Sequence, residues 1–268
     1  MRYRIAAFAD EAASSLDGQI AAMKENSVEL LEIRGVDGEN IADISNEKAR
    51  YIRKRLDDEG LVVWSLGSPY GKISMSDDFS SHLDKFKHSL ETADILDARH
   101  IRLFSFYEAD QLDDVLERLN SFIEAAKGSG IVLCHENEKG IYGDTADKCL
   151  EIHKALPEMK AIFDPANFIQ CGQDTKAAWD ILSPYVEYMH IKDALADGSV
   201  VPAGKGIGQL RYLLSQYKGD VLTVEPHLTV FEGFEKLERD NAGHKYCYPD
   251  SQTAFAAAVS ALRDIIGG

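Results

Sequence analysis

Four residues in the second half of the chain share a position. Glu136 ends the apolar run "GIVLCHE" (130–136), Asp164 ends "KAIFD" (160–164), His190 closes the face of "VEYMHI" (186–191), and Glu225 ends "VLTVE" (221–225). They lie 28, 26 and 35 residues apart, so a metal-ligand type recurs at a near-regular interval. Three carboxylates and one imidazole make an oxygen-rich donor set with one nitrogen. Such a set suits Mn²⁺, Co²⁺, Mg²⁺ or Zn²⁺, and the sequence does not choose among them. Taken singly, an acid at a strand end is more often a helix cap or a surface charge, and a lone histidine is more often structural. Turned inward together, three carboxylates without a cation would repel one another and resist burial. One divalent metal ion resolves that conflict.

The elements that must position these residues recur along the whole chain. Four further apolar runs precede the four above: "YRIAAF" (3–8), "LLEIRG" (30–35), "LVVWSLG" (61–67) and "HIRLFSF" (100–106). Helical patterns separate them. Ser15 is placed to cap the first helix, and "NEKARYIRKRLDDEG" sets Ala49, Ile52 and Leu56 on one face before stopping at Gly60. "SHLDKFKHSLETADIL" spaces Leu83, Phe86, Leu90, Ala93 and Leu96 by three and four. Alternating strands and helices imply a parallel sheet. Eight units averaging about 33 residues match a (β/α)8 TIM barrel of roughly 250 residues, an α/β fold. Residues 1–268 are expected to form one such domain. A doubly wound open sheet is the alternative, but it more often carries a glycine fingerprint after its first strand, where this chain has "AFADEAASS".

In a barrel the reactive groups sit at the carboxyl ends of the strands. Strand alternation puts Val132, Cys134 and Glu136 on one face, likewise Val186, Tyr188 and His190, and likewise Val221, Thr223 and Glu225. The four candidate ligands then all point into the barrel mouth, and His135 points away into a structural role. Two long loops, "GSPYGKISMSDDF" and "PHLTVFEGFEKLERDNAGHKYCYPD", follow the third and eighth runs and are expected to cover the site.

Other residues near the strand ends are candidates for substrate. Lys192 is expected to bind a substrate oxygen or stabilise an oxyanion; a salt bridge to Asp193 or Glu225 is the structural alternative. Asn167 and His227 are candidates for substrate contact, with bracing roles as their alternatives. Arg34, near the rim, is a candidate for binding an anion. Glu32 and Arg102 are expected to pair with each other inside the barrel. Lys72 sits on a loop able to close over the site. In "PAGKGIG" (202–208) the glycine N–H groups and Lys205 are candidates for phosphate, against a simple turn into the next helix. Phe106, Tyr107, Phe168, Phe231, Phe234 and Tyr246 are candidate pocket walls, and aromatics in such loops are as often plain packing.

Composition narrows the partners. With 29 Lys+Arg against 45 Asp+Glu, the net charge is −16, which disfavours a nucleic-acid groove. No apolar run approaches the roughly 18 residues of a membrane helix. Asp10 and Glu11 interrupt any signal-peptide core, so a cytoplasmic protein is expected, and a homo-oligomer is compatible with the sequence. Cys134, Cys149, Cys171 and Cys247 lack close paired spacing and are expected as reduced thiols.

In its motifs "HENE", "FDPAN", "HIKD" and "EPH", and in the earlier segments "DEAASSLDGQI", "LLEIRGVDG", "LGSPYGK" and "IRLFSFY", the chain resembles the xylose isomerase-like TIM barrel superfamily, the sugar phosphate isomerase/epimerase group. The resemblance spans essentially the whole chain. It implies one divalent metal on Glu136, Asp164, His190 and Glu225. It also implies that Glu136 and Glu225 move protons, as the ligand glutamates do in the epimerases. The implied activity is isomerisation or epimerisation of a sugar or sugar phosphate through a metal-bound enediolate. The chemistry agrees: a cation on a carbonyl and its neighbouring hydroxyl acidifies the C–H between them. Two carboxylates on opposite faces can then take a proton from one side and return it to the other. The alternatives are a dehydratase or lyase of a keto-polyol or cyclic keto-acid, and a non-catalytic sugar-binding protein. Endonuclease IV-type members need extra histidines, one of them close after the strand-six aspartate, where this chain has Asn167.

Overall fold

The computed structural model describes residues 2–230 and 246–267. All eight expected runs are strands: β1 Arg4–Ala7, β2 Leu30–Ile33, β3 Val62–Leu66, β4 His100–Leu103, β5 Val132–Glu136, β6 Lys160–Phe163, β7 Val186–Ile191 and β8 Val221–Val224. Each pairs in parallel with the next, and β8 closes onto β1, with Arg4 opposite Val221 and Ala7 opposite Val224. This is a closed eight-stranded TIM barrel. The open-sheet alternative is thereby removed.

Helices surround it: α1 Leu16–Glu25, α2 Asn46–Asp58, α3 Phe79–Leu96, α4 Leu112–Ala126, α5 Ala146–Ala155, α6 Pro165–Gln170, α7 Thr175–Leu182, α8 Leu210–Gln216 and α9 Ser251–Ile266. Their ends follow local chemistry. Ser15 caps α1 by accepting from the Gly18 amide, and Ser45 caps α2 by accepting from Lys48. Past the end of α2, Gly60 takes φ 72°, a left-handed conformation that glycine adopts without a steric penalty.

Period-two alternation sorts every strand. On β8, Leu222 and Val224 join the outer core against the helices, as do Leu133 on β5 and Met189 on β7. Each such fully buried aliphatic side chain contributes about 1.5–3 kcal/mol. The inward positions form layers. Low in the barrel lie Ala6, Leu30 and Val221, then Cys134, Ile162 and Tyr188. Above them the inward residues are polar and buried: Glu32, Arg102, Glu136, His190 and Thr223. The barrel therefore has an apolar floor and a charged mouth.

Some expected pocket walls are core instead. Phe106 and Phe168 are fully buried; Phe106 packs on Phe79 and Phe122, and Phe168 on Phe163. Phe231 and Phe234 lie outside the described residues. Cys134, Cys149 and Cys171 are free thiols, with Cys134 and Cys149 buried. Among the described residues no helix is long and apolar enough to cross a membrane.

Candidate metal centre

Glu136, Asp164, His190 and Glu225 meet at the carboxyl end of the barrel. Each offers one ligand atom, all four atoms lie within 4.8 Å of one another, and all four residues are buried. Glu136 is the last residue of β5, His190 lies inward on β7 beside Thr223 of β8, and Glu225 follows β8 directly. Asp164 follows β6 and caps α6: its Oδ1 accepts from the Asn167 amide at 2.9 Å. Two reciprocal bonds of 2.9 Å between Asn137 and the Asp164 backbone fix that turn.

The electrostatics of the four residues fit a cation. Asp164 Oδ2 is buried without a hydrogen bond of good geometry, although Lys192 Nζ stands 2.9 Å away. Burial raises Asp164 to about 7, and the Glu225 and Glu136 carboxylates add to this against the pull of Lys192. Burial disfavours charge on His190 too, but Glu136 and Glu32 outweigh it and hold the ring up at about 10. Burial opposes the charge on Glu136 as well, yet His190 and Arg102 bring it down to about 2. Against the same burial, Lys192, His227, His190 and Arg102 keep Glu225 well below the usual carboxylate range. The cluster thus favours two ionised carboxylates, a third that burial and then repulsion push toward protonation, and a protonated imidazole. A divalent ion would neutralise the carboxylates and displace the Nδ1 proton of His190. A buried carboxylate oxygen without a hydrogen bond of good geometry and a converging donor set are features that suit such an ion.

Lys192 is brought to the centre. Its ammonium lies 2.7 Å from Glu225 Oε2 and 2.9 Å from Asp164 Oδ2, not beside Asp193. Asn167 donates from Nδ2 to Asn137 O at 2.9 Å and to Glu136 Oε1 at 3.3 Å, while its Oδ1 is buried and unbonded. His227 reaches the rim, 43% exposed in its side chain, with Nε2 3.2 Å from Glu11 Oε1. Its φ of 43° is unusual outside glycine, and its amide donates to Glu11. Lys72 joins the rim by pairing with Glu138 at 2.9 Å. His135 points outward, as alternation requires, and its Nε2 lies 3.0 Å from Ser105 Oγ.

Three expectations change. Glu32 and Arg102 do not pair with each other. Arg102 stands 3.1 Å from Glu136 Oε2, between the Phe8 and Phe104 rings, and donates to the Gly67 and Ser68 carbonyls. Glu32 instead meets Tyr188 and His190. Arg34 already holds anions of the protein itself: Asp10 at 2.8 and 3.1 Å, Glu11 at 3.2 Å and Glu225 at 3.4 Å. In the "PAGKGIG" loop the amides of Gly204, Gly206 and Gly208 donate to Asp193 at 2.9, 3.0 and 2.9 Å. The anion in this nest is the Asp193 carboxylate. Lys205 is exposed, and its side chain has no hydrogen bond or ion pair among the described residues.

Residues of the first half complete the mouth. Asp10 and Glu11 follow β1 and reach Arg34 and His227. Burial, with the Glu225 charge, raises Glu11 to about 7. Phe8 underlies both guanidinium groups, 4.8 Å from Arg34 and 5.1 Å from Arg102. The strand-end rule that located the four ligands also points to Asp10 and Glu11, which follow β1.

A profile of the family described as xylose isomerase-like TIM barrel matches residues 20–229. No curated protein matches the sequence significantly. Several solved structures share the fold. The probable 3-DHS dehydratase AsbF from Bacillus anthracis is 17% identical, with a TM-score of 0.73 and 98% of each chain covered. An IOLI protein with a bound zinc atom is 15% identical, with a TM-score of 0.75 and 98% of each chain covered. A D-psicose 3-epimerase in the presence of D-fructose is 19% identical, with a TM-score of 0.73 over 99% of this chain and 100% of that one. From the family match over most of its length, this chain belongs to the xylose isomerase-like TIM barrels.

Proposed function

We propose that the protein is a divalent-metal-dependent isomerase or epimerase of a small carbohydrate. The observation that carries this reading is the convergence of Glu136, Asp164, His190 and Glu225, with both glutamates held ionised. These four residues would hold one Mn²⁺, Co²⁺, Mg²⁺ or Zn²⁺ ion. The ion would supply charge that makes a C–H beside a carbonyl acidic.

The chain's own residues do the rest. Glu136 and Glu225 come from non-adjacent strands, β5 and the end of β8, and so flank the centre from two sides. One ionised carboxylate accepts the proton from carbon; the other, once it has taken a proton from solvent, returns that proton to the opposite face, and the first then releases its own to solvent. Arg102 and Asn167 orient Glu136, and Arg34 steadies Glu225. The Lys192 ammonium is held protonated by Asp164 and Glu225, ready to donate to a substrate oxygen. The glycine nest already filled by Asp193 supports an unphosphorylated polyol over a phosphate ester. Likeness to a D-psicose 3-epimerase and to an L-ribulose 3-epimerase supports the carbohydrate class.

A second reading, dehydration of a keto-polyol or cyclic keto-acid, draws on the likeness to a probable 3-DHS dehydratase. It uses the same proton abstraction, with Lys192 protonating a departing hydroxyl. Incubation with a ketose panel in D₂O separates the readings. Deuterium at carbon without loss of water supports isomerisation, and an enone product supports dehydration. Neither outcome on any compound favours a sugar-binding protein and removes the enzymatic reading.

A further inference from the structure

The histidine of the cluster faces two ways. Nδ1 of His190 lies 2.9 Å from Glu136 Oε1 and 3.7 Å from Glu225 Oε2, toward the other ligands. Nε2 lies 3.2 Å from Glu32 Oε2 on the opposite side. Glu32 belongs to β2, three strands from β7 in the barrel order, so it reaches His190 across the interior. Its other oxygen accepts from the Tyr188 hydroxyl at 2.8 Å, and that hydroxyl stands 3.1 Å from Ser65 Oγ on β3. Glu32, Ser65, Tyr188 and His190 are all 0% exposed. Burying a carboxylate this completely is costly unless its oxygens are bonded. Here each oxygen has one partner, and one of them is the far nitrogen of a candidate metal ligand.

We propose that Glu32 is the positioning residue of the metal centre. By accepting the Nε2–H of His190 it presents Nδ1, and not Nε2, to the metal. The inference rests on the metal-dependent reading above. A carboxylate on the non-ligating nitrogen fixes the ring's tautomer and direction and typically contributes 10–100-fold in metal affinity. Tyr188 holds the carboxylate in place, and the edge of Phe8, 5.2 Å from the His190 ring, limits its rotation. Arg102 pairs with Glu136 and not with Glu32.

The test measures Zn²⁺ and Co²⁺ affinity of the full chain by competition with a chromophoric chelator, together with the Co²⁺ absorption spectrum. Wild type is compared with Glu32→Gln, Glu32→Leu and Tyr188→Phe. Glu32→Leu should weaken binding about 10–100-fold and shift the Co²⁺ bands. Glu32→Gln should weaken it less, because its amide oxygen still accepts the N–H, and Tyr188→Phe least. Affinities within about twofold of wild type and unchanged spectra in all folded variants would overturn the proposal. Where Glu32→Leu does not fold, Glu32→Gln and Tyr188→Phe decide it. A wild type that binds neither ion overturns the metal-dependent reading itself. Metal binding that is equal in wild type and variants overturns only the role of Glu32.

Discussion

Lys192 Nζ lies 2.7 Å from Glu225 Oε2, inside the cluster that would bind the metal. An ammonium there competes with a divalent ion for the same carboxylates and also stands where a substrate oxygen would meet it. Replacing Lys192 with Met should therefore split two properties. Metal affinity should rise, because a positive charge leaves a low-dielectric site. Turnover should fall about 10²–10⁴-fold, the usual contribution of a positioned acid. Chelator competition and steady-state kinetics on one preparation check both; weaker metal binding in this variant would contradict the assignment.

The loop after β7 depends on close approach. A Cβ on Gly206 would lie 2.2 Å from the Ala194 carbonyl oxygen and 2.4 Å from Asp193 Oδ1. Gly206→Ala should destabilise the fold by about 1–3 kcal/mol, as overpacking does. Lys205→Ala, one residue away on an exposed side chain, should leave the melting temperature unchanged. Thermal unfolding of the pair checks the contrast. Equal melting temperatures would show that Asp193 does not organise the loop.

Acid sensitivity should come partly from a histidine outside the site. His153 is 1% exposed, and burial lowers its pKa from about 6.5 to about 4. Between those values the unfolded chain binds the proton more readily than the folded one. The neutral ring's contribution is complete above about 6.5 and is lost as pH falls toward 4. His153→Gln should therefore lose less stability than wild type between pH 7.5 and pH 5, two conditions chosen to bracket about 6.5. Urea midpoints at the two pH values measure this; parallel losses would contradict it.

The barrel was legible because two simple periods survive in the sequence. Short apolar runs at a spacing of one βα unit located all eight strands, and period-two alternation separated inward Glu136 from outward His135. Partner choice across the interior was not legible. Glu32 and Arg102 share the barrel lumen, but each has several reachable partners, and the height of each side chain decides among them. Arg102 rises to Glu136 and Glu32 meets His190, a difference that strand spacing does not encode. The glycine-rich loop misled for a related reason. Its amides do form an anion nest, but the nearest anion is Asp193, which the chain supplies itself.

The central claim is a metal on four residues, and metal stoichiometry tests it most directly. Wild-type protein and the Asp164→Asn, His190→Ala double variant would be stripped with chelator, loaded with Mn²⁺, Co²⁺ or Zn²⁺, desalted and analysed for bound metal. Circular dichroism would confirm that both are folded. The arrangement of Glu136, Asp164, His190 and Glu225 predicts about one equivalent in wild type and close to none in the folded double variant. Equal occupancy in the two proteins, or no metal in wild type, would contradict it.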